Sequence, residues 1–171
     1  MLRCSKETVE GIDSMKTFRL VQVRLVQDEY GNELNLPIEL VDGLIISREH
    51  DNEWLLEMLV PTEFAVTLHH YLNKRMLLLA EAVITSPANR PAAIALTFTS
   101  ERSLSNHHTF VAEGLMLLPK QDPTKQVLDS LIADGVTGSD LKPSFFEKQV
   151  EHQQTFSRSA FNQLVKTGSF E

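Results

Sequence analysis

Hydrophobic and polar side chains alternate along most of the chain between residues 15 and 119. Residues 33–40 (ELNLPIEL) show this most clearly, because leucine or isoleucine fills every second position. A period of two is typical of strands that bury one face, and short connections favour antiparallel neighbours. The sequence therefore predicts a mainly β (α+β) fold. We expect a curved antiparallel sheet of six to seven strands or a small barrel, with one inserted helix and C-terminal helices, whose own side chains fill the interior.

Individual strands follow from the local patterns. Pro37 has no backbone N–H, so its strand lies at an edge or contains a bulge. Asp42 and Gly43 form a two-residue sequence favoured in hairpin turns, and residues 54–60 are apolar on both faces, as in a central strand. Gly114 inside the last strand indicates a bulge or a close approach. We expect strands near residues 18–25, 34–40, 44–46, 54–60, 76–85, 94–99 and 110–118.

Three segments predict helices. The first follows Pro61 and ends near Asn73, with one apolar stripe that can cover a sheet. The second begins at Asp122 as N-cap, followed by proline, and stops at Gly135. In the third, Ser144 and Glu147 have the spacing of a capping box.

The polarity of the chain ends suggests how the domain is organised. Residues 1–14 are a polar leader that we expect to be disordered or to lie upstream of the usual start, at Met15. Residues 15–150 are expected to form a single β-rich domain, and residues 151–171 a helical or flexible tail. The leader lacks the apolar core of a signal peptide, and no apolar run approaches the roughly 20 residues that cross a bilayer. We therefore expect a cytoplasmic protein without a membrane partner.

Composition and short motifs argue against several function classes. The net charge is −7, with 16 basic and 23 acidic residues, so binding to a nucleic-acid backbone is not expected. The single cysteine, Cys4, excludes an internal disulfide framework and multi-cysteine metal sites. Neither glycine-rich nucleotide fingerprint occurs, and the nucleophile elbow of common hydrolases is missing. No cofactor is predicted.

Six histidines are the most suggestive polar feature: His50, His69, His70, His107, His108 and His152. Neighbouring residues point in different directions on a helix or a strand, so a metal site would take one histidine from each adjacent pair. A carboxylate such as Glu113 or Asp51 would complete it. No metal-binding spacing such as H-x-x-x-H occurs. We therefore interpret the histidines as loop and helix-surface residues and predict no metal or catalytic site, with His69, His107 and His108 as the weak candidates.

Three further residues have side chains that could take part in acid–base catalysis or anion binding. Glu57 and Glu81 each interrupt an apolar strand, and paired inward carboxylates can perform acid–base catalysis. Alternation places Glu57 on the solvent side, and we interpret both glutamates in that way. Arg90, near prolines in a loop, could present its guanidinium to an anion, although loop arginines are usually solvated. Glu81 and Arg90 are therefore weak candidates, and Trp54 is expected to anchor the core.

Six short segments carry a family resemblance: residues 15–21 (MKTFRLV), 42–46 (DGLII), 54–57 (WLLE), 82–85 (AVIT), 89–93 (NRPAA) and 131–135 (LIADG). Together they resemble the YwpF-like family of Bacillus-type bacteria. The similarity spans residues 15–150 and has no diagnostic catalytic residues. It implies a small cytoplasmic protein of a family with no assigned reaction, so no site residue can be transferred.

Three functions fit these observations. The favoured one is a non-catalytic interaction or regulatory protein, with a protein partner or self-association through an apolar face of the C-terminal helices. The second is a small-ligand-binding β-barrel that uses its interior or mouth. The third is a histidine-assisted or metal-assisted enzyme.

Overall fold

The computed structural model describes residues 15–48, 52–119 and 121–168. Predictions for Cys4 and the leader, for His50 and Asp51, and for residues 169–171 lie outside the described residues. The strands are β1 (Thr17–Asp28), β2 (Glu33–Ile38), β3 (Asp42–Ser47), β4 (Glu53–Pro61), β5 (Leu78–Ile84), β6 (Ala92–Ser103) and β7 (His107–Met116). The helices are α1 (Thr62–Lys74), α2 (Thr124–Ala133) and α3 (Leu141–Thr167), and the 3-10 turn Gly138–Asp140 precedes α3.

Six strands close into an antiparallel barrel. Its order is β1-β3-β4-β7-β6-β5, and pairing between β1 and β5 closes the ring. β2 is the additional strand, paired with β1 alone, and it contains Pro37 opposite Arg24. The mainly β fold predicted from the alternation is confirmed, as is the edge position that the missing N–H of Pro37 requires.

Gly43 has a different role from the one its sequence context predicts. Asp42 and Gly43 are the first residues of β3, paired with Leu59 and Met58, so the predicted hairpin turn at these two residues is wrong. A Cβ atom on Gly43 would lie 3.0 Å from both the Cβ and the carbonyl oxygen of Leu20. Glycine is therefore needed here because β1 and β3 approach closely, while the connection from β2 lies before Asp42.

Buried side chains fill the interior of the barrel. Inward-facing residues from all six barrel strands join one continuous hydrophobic core. Leu68 of α1 belongs to the same core, and α1 packs against β4, β6 and β7. Fully buried members include Leu25, Ile45, Leu56, Met58, Leu78, Leu96, Phe98 and Phe110. The expectation of a barrel filled by its own side chains agrees with this core.

The C-terminal helices differ from their predicted bounds. The carboxylate of Asp122 accepts hydrogen bonds from the backbone N–H of Thr124 at 2.9 Å and from its hydroxyl at 2.6 Å. Asp122 thus hydrogen-bonds the first residue of α2, but the N-cap position is Pro123 and the helix has no side-chain capping hydrogen bond, so the predicted N-cap at Asp122 is wrong. α3 begins at Leu141 because the 3-10 turn leads directly into it. Ser144 therefore lies within the first turn, and the predicted capping box at this position is wrong.

Contacts divide the chain into two compact units, one extending to Leu117 and the other beginning at Leu118. The barrel and α1 belong to the first unit, and α2 and α3 belong to the second. The expectation of a single domain over residues 15–150 stays a prediction. No helix in the described ranges is both long and apolar enough to span a lipid bilayer.

The turn between β1 and β2 is organised by Asp28, a carboxylate that is only 6% exposed. Its Oδ1 accepts backbone hydrogen bonds from Tyr30 and Asn32, both at 2.9 Å, and its Oδ2 accepts one from the Asn32 side chain at 3.0 Å. Burial raises the pKa of Asp28, but these hydrogen bonds together outweigh burial and hold the pKa below its usual value.

We expect this turn to make stability pH-dependent. A carboxylate whose folded pKa lies below its unfolded value near 3.9 stabilises the folded state above that value and loses the contribution as pH falls through the folded pKa. Asp28→Asn should therefore reduce the loss of unfolding free energy between about pH 5 and pH 2. Urea unfolding at a series of pH values measures this slope. An unchanged slope in Asp28→Asn would contradict the assignment, and Asp129→Asn on α2 serves as a carboxylate control.

Candidate functional site

Three side chains from separate elements meet on the first unit. We call them the histidine–glutamate cluster: His69 from α1, Glu101 from β6 and His108 from β7. The side chains of Glu101 and His108 are 20% and 14% exposed, and that of His69 is 40% exposed. The cluster thus lies between the core and the surface.

Strand register explains why Glu101 and His108 share a face. In the β6–β7 pair, Ser103 lies opposite His108, and Glu101 lies opposite Phe110. Alternation then places all four side chains on one side of the sheet. Phe110 is fully buried, so this side faces the barrel interior. Glu101 and His108 are diagonal neighbours at the end of the barrel, within reach of each other.

His69 reaches the same place because α1 follows β4 without a gap. Pro61, the last residue of β4, pairs with His107 at the start of β7. The next residue begins α1, whose buried stripe includes Leu68. The ring of His69 consequently lies 5.5 Å from that of Phe110 and 5.8 Å from that of His108, between ring centroids.

The carboxylate of Glu101 lies between the two imidazoles. Nδ1 of His108 is 2.5 Å from Oε1, and because an ionised carboxylate only accepts, Nδ1–H is the donor. This hydrogen bond is the largest influence on Glu101 and lowers its pKa. Burial acts in the opposite direction, and the nearby His69 lowers the pKa further, so the carboxyl group titrates below its usual range.

The contact with His69 is of a different kind. Its Nε2 lies 2.9 Å from Oε2 of Glu101, close enough for a hydrogen bond, yet this nitrogen is shielded from solvent and has no hydrogen-bond partner. The two atoms are therefore close enough for a hydrogen bond but lack the alignment that a hydrogen bond requires. A shielded ring nitrogen without a hydrogen-bond partner is uncommon in folded proteins.

The donor atoms of the three residues lie within 4.8 Å of one another. Two imidazole nitrogens and one carboxylate oxygen form a donor set used for first-row divalent metals. The arrangement also holds the Nδ1 proton of His108 between the imidazole and the carboxylate. Chemically, the cluster can bind either a proton or a metal cation.

The other candidates lie apart from this cluster. His107 is next to His108, and its side chain points to the opposite side of β7 by alternation. Glu81 on β5 forms an ion pair with Arg24 at 2.6 Å, and Arg90 lies in the exposed loop between β5 and β6. Glu57 is exposed, as its strand position predicts.

Sequence reasoning found two of the three cluster residues. It required one histidine from each adjacent pair, and the structure brings together His69 and His108. His108 lies in β7, which begins three residues earlier than predicted, so its interpretation as a loop or surface histidine is wrong. Glu113, the carboxylate suggested for such a site, lies 3.8 Å from Arg48 and is 58% exposed. The carboxylate of the cluster is Glu101, which the sequence analysis missed. The feature that could have identified Glu101 is its position in a β-hairpin, where it can lie diagonally opposite His108.

A second feature lies within the α2–α3 unit. An apolar groove of about 460 Å³ runs between these helices, and we call it the helix groove. Phe146 at its border is 53% exposed, Ile132 on α2 is 59% exposed and Val150 on α3 is 49% exposed. The helix groove is lined by Thr124, Leu128, Leu141, Lys142, Phe145 and Phe146.

Comparisons with known proteins agree with the fold. Residues 16–149 match the family model described as YwpF-like protein. A curated Bacillus subtilis (strain 168) protein, "Uncharacterized protein YwpF", is 31% identical over 135 residues, covering 78% of this chain and 99% of that protein. The crystal structure of a hypothetical protein from Staphylococcus aureus superposes with a TM-score of 0.54 at 33% identity, covering 84% of this chain and 94% of that one.

Proposed function

The chain belongs to the YwpF-like family, and we propose that it is a non-catalytic interaction or regulatory protein of the bacterial cytoplasm that self-associates through the helix groove. The observation that carries this proposal is the exposed apolar surface of α2 and α3. Single exposed apolar residues are ordinary, but an apolar groove with further apolar side chains beside it is typical of an interaction site.

The exposed residues extend the helix groove along both helices. Val150 is four residues beyond Phe146 and therefore lies on the same face of α3. Ile132 is four residues beyond Leu128, a groove residue, on α2. The surface thus contains a depression and protruding apolar side chains together. Such a surface can pair with itself, as a two-fold symmetric dimer requires.

The charge of the helix groove allows a second copy as the occupant. The chain has a net charge of −7, so most surfaces of two copies repel each other. Lys142 is the one charged residue among those lining the helix groove, so two copies can meet through this face without opposing carboxylates. The excess of acidic residues likewise supports the absence of a nucleic-acid partner.

Phe146→Ser tests the proposal. We expect the wild-type protein to dimerise with increasing concentration, and the substitution to raise the dimer dissociation constant by at least about tenfold, because buried aromatic anchors dominate interface energy. Sedimentation velocity across a concentration series measures the effect. Val66→Ser, which changes an apolar residue of α1 that is 73% exposed, is the matched control and should leave dimerisation unchanged. A wild-type protein that stays monomeric throughout would refute the proposal.

The alternative of a small-ligand-binding barrel has less support. Side chains from every barrel strand fill the interior, so a ligand there would have to displace packed core residues. The metal-assisted alternative depends on the histidine–glutamate cluster.

A further inference from the structure

We propose that the histidine–glutamate cluster is a binding site for one divalent first-row transition-metal ion, with zinc as the probe. His69 Nε2, His108 Nδ1 and one oxygen of Glu101 are its ligands. The inference is independent of self-association, since the cluster lies in the barrel unit and the helix groove lies in the other unit.

The three side chains supply donor atoms that suit a divalent metal ion. Imidazole nitrogen and carboxylate oxygen both bind zinc at about 2.0–2.2 Å, and tetrahedral ligand atoms then lie about 3.3 Å apart. The three donor atoms here already lie within 4.8 Å of one another, with the two histidine–glutamate distances at 2.5 Å and 2.9 Å. The two distances involve different oxygens of Glu101, so the side chains must rotate for one oxygen to bind together with both imidazoles. His69 is partly exposed on a helix, which leaves room for such a rotation.

The position of the His69 nitrogen supports the same site. A purely structural role, in which Glu101 accepts a hydrogen bond from His108, explains those two residues. It leaves Nε2 of His69 shielded from solvent, 2.9 Å from the Glu101 carboxylate but without an aligned hydrogen bond. A metal ion among the three donor atoms would occupy the lone pair of this nitrogen. It would also displace the proton from Nδ1 of His108, and in a neutral imidazole this proton moves to Nε2.

Charge and scaffold support the same conclusion. The carboxylate of Glu101 supplies one negative charge that offsets part of the charge of a divalent cation. β6 and β7 are paired along the barrel and hold two ligands rigidly, whereas the third comes from α1. Three protein ligands leave the fourth tetrahedral position open to water or another small ligand. Bound metal would also tie α1 to the end of the barrel.

The test uses the full-length protein without a histidine tag, freed of metal by a chelator. Isothermal titration with Zn²⁺ should show one site per chain, and Co²⁺ should give the visible absorption of a site with nitrogen ligands. His69→Asn should weaken Zn²⁺ binding at least tenfold. His70→Asn is the matched control, because His70 is the exposed neighbour on the same helix, and it should bind like the wild type.

Glu101→Gln separates the metal site from a hydrogen-bonded structural triad. The amide oxygen can still accept the hydrogen bond from His108, but it is a poorer ligand than a carboxylate. We expect this variant to keep its circular dichroism spectrum without metal, and to lose at least tenfold in Zn²⁺ affinity. Absence of stoichiometric Zn²⁺ binding by the wild type, or equal weakening by His69→Asn and His70→Asn, would overturn the proposal.

Discussion

Replacing Phe98 with alanine is expected to lower the free energy of unfolding by about 3–5 kcal/mol. Phe98 is fully buried in the barrel, and its ring lies 5.9 Å from that of Phe110 in an edge-to-face arrangement. Truncation removes apolar contacts and leaves a cavity that β6, paired on both sides, cannot close. For a chain of this size the thermal midpoint should fall by roughly 10 °C. Unfolding followed by the fluorescence of Trp54, the one tryptophan, measures the change.

Tyr30→Ala is the matched control for this prediction. Tyr30 is also aromatic, but 73% of it is exposed in the turn after β1, so its loss should change stability by less than about 0.5 kcal/mol. Similar effects of the two substitutions would mean that Phe98 is not packed as described.

Gly114→Ala should destabilise the barrel by about 1–3 kcal/mol through overpacking. A Cβ atom at this position would lie 2.7 Å from Cγ2 of Ile94 and 3.1 Å from Cδ1 of Leu56. Both neighbours are fully buried, and Cγ2 of Ile94 is fixed close to its own backbone. The Cβ–Cγ2 distance of 2.7 Å is too short for van der Waals contact, so Ile94 or its strand must shift. Chemical denaturation of the single variant measures the cost.

A double-mutant cycle shows whether that cost comes from the contact itself. Ile94→Ala removes the Cγ2 atom, so Gly114→Ala should cost at least about 1 kcal/mol less in this background. An unchanged cost would attribute the effect to the backbone of β7 instead of to the contact between β6 and β7.

Much of the barrel is predictable from local patterns. Alternation identifies the strands, and Pro37 requires an edge strand or a bulge because it removes a ladder donor. The close approach predicted at Gly114 is present, since side chains of Ile94 and Leu56 pack against it. Gly43 shows the limit of such reasoning, because it is needed where β1 passes close to it, which is a tertiary fact that no neighbouring residue reveals. The Asp42–Gly43 pair predicts a turn because glycine is small, and the same small size suits Gly43 to the close approach of β1.

The candidate site was predictable only in outline. The directions of adjacent side chains imply that one histidine from each pair takes part, and the structure unites His69 with His108. Identifying the carboxylate requires the register of the β6–β7 hairpin. Local patterns specify this register poorly because the strand ends lie among polar residues. Glu101 could therefore be identified only after the pairing of Ser103 with His108 was known.

The closure of the ring through β1 has a consequence for how the chain folds. Leu25 of β1 pairs with Ala80 of β5, and β7, the last strand synthesised, lies between β4 and β6. A nascent chain that ends before Met116 therefore lacks a complete ring, because β4 and β6 are not yet joined through β7. Pairings so far apart in sequence carry a large loop-closure entropy. Folding should accordingly be slow, in the range of milliseconds to seconds typical of all-β domains.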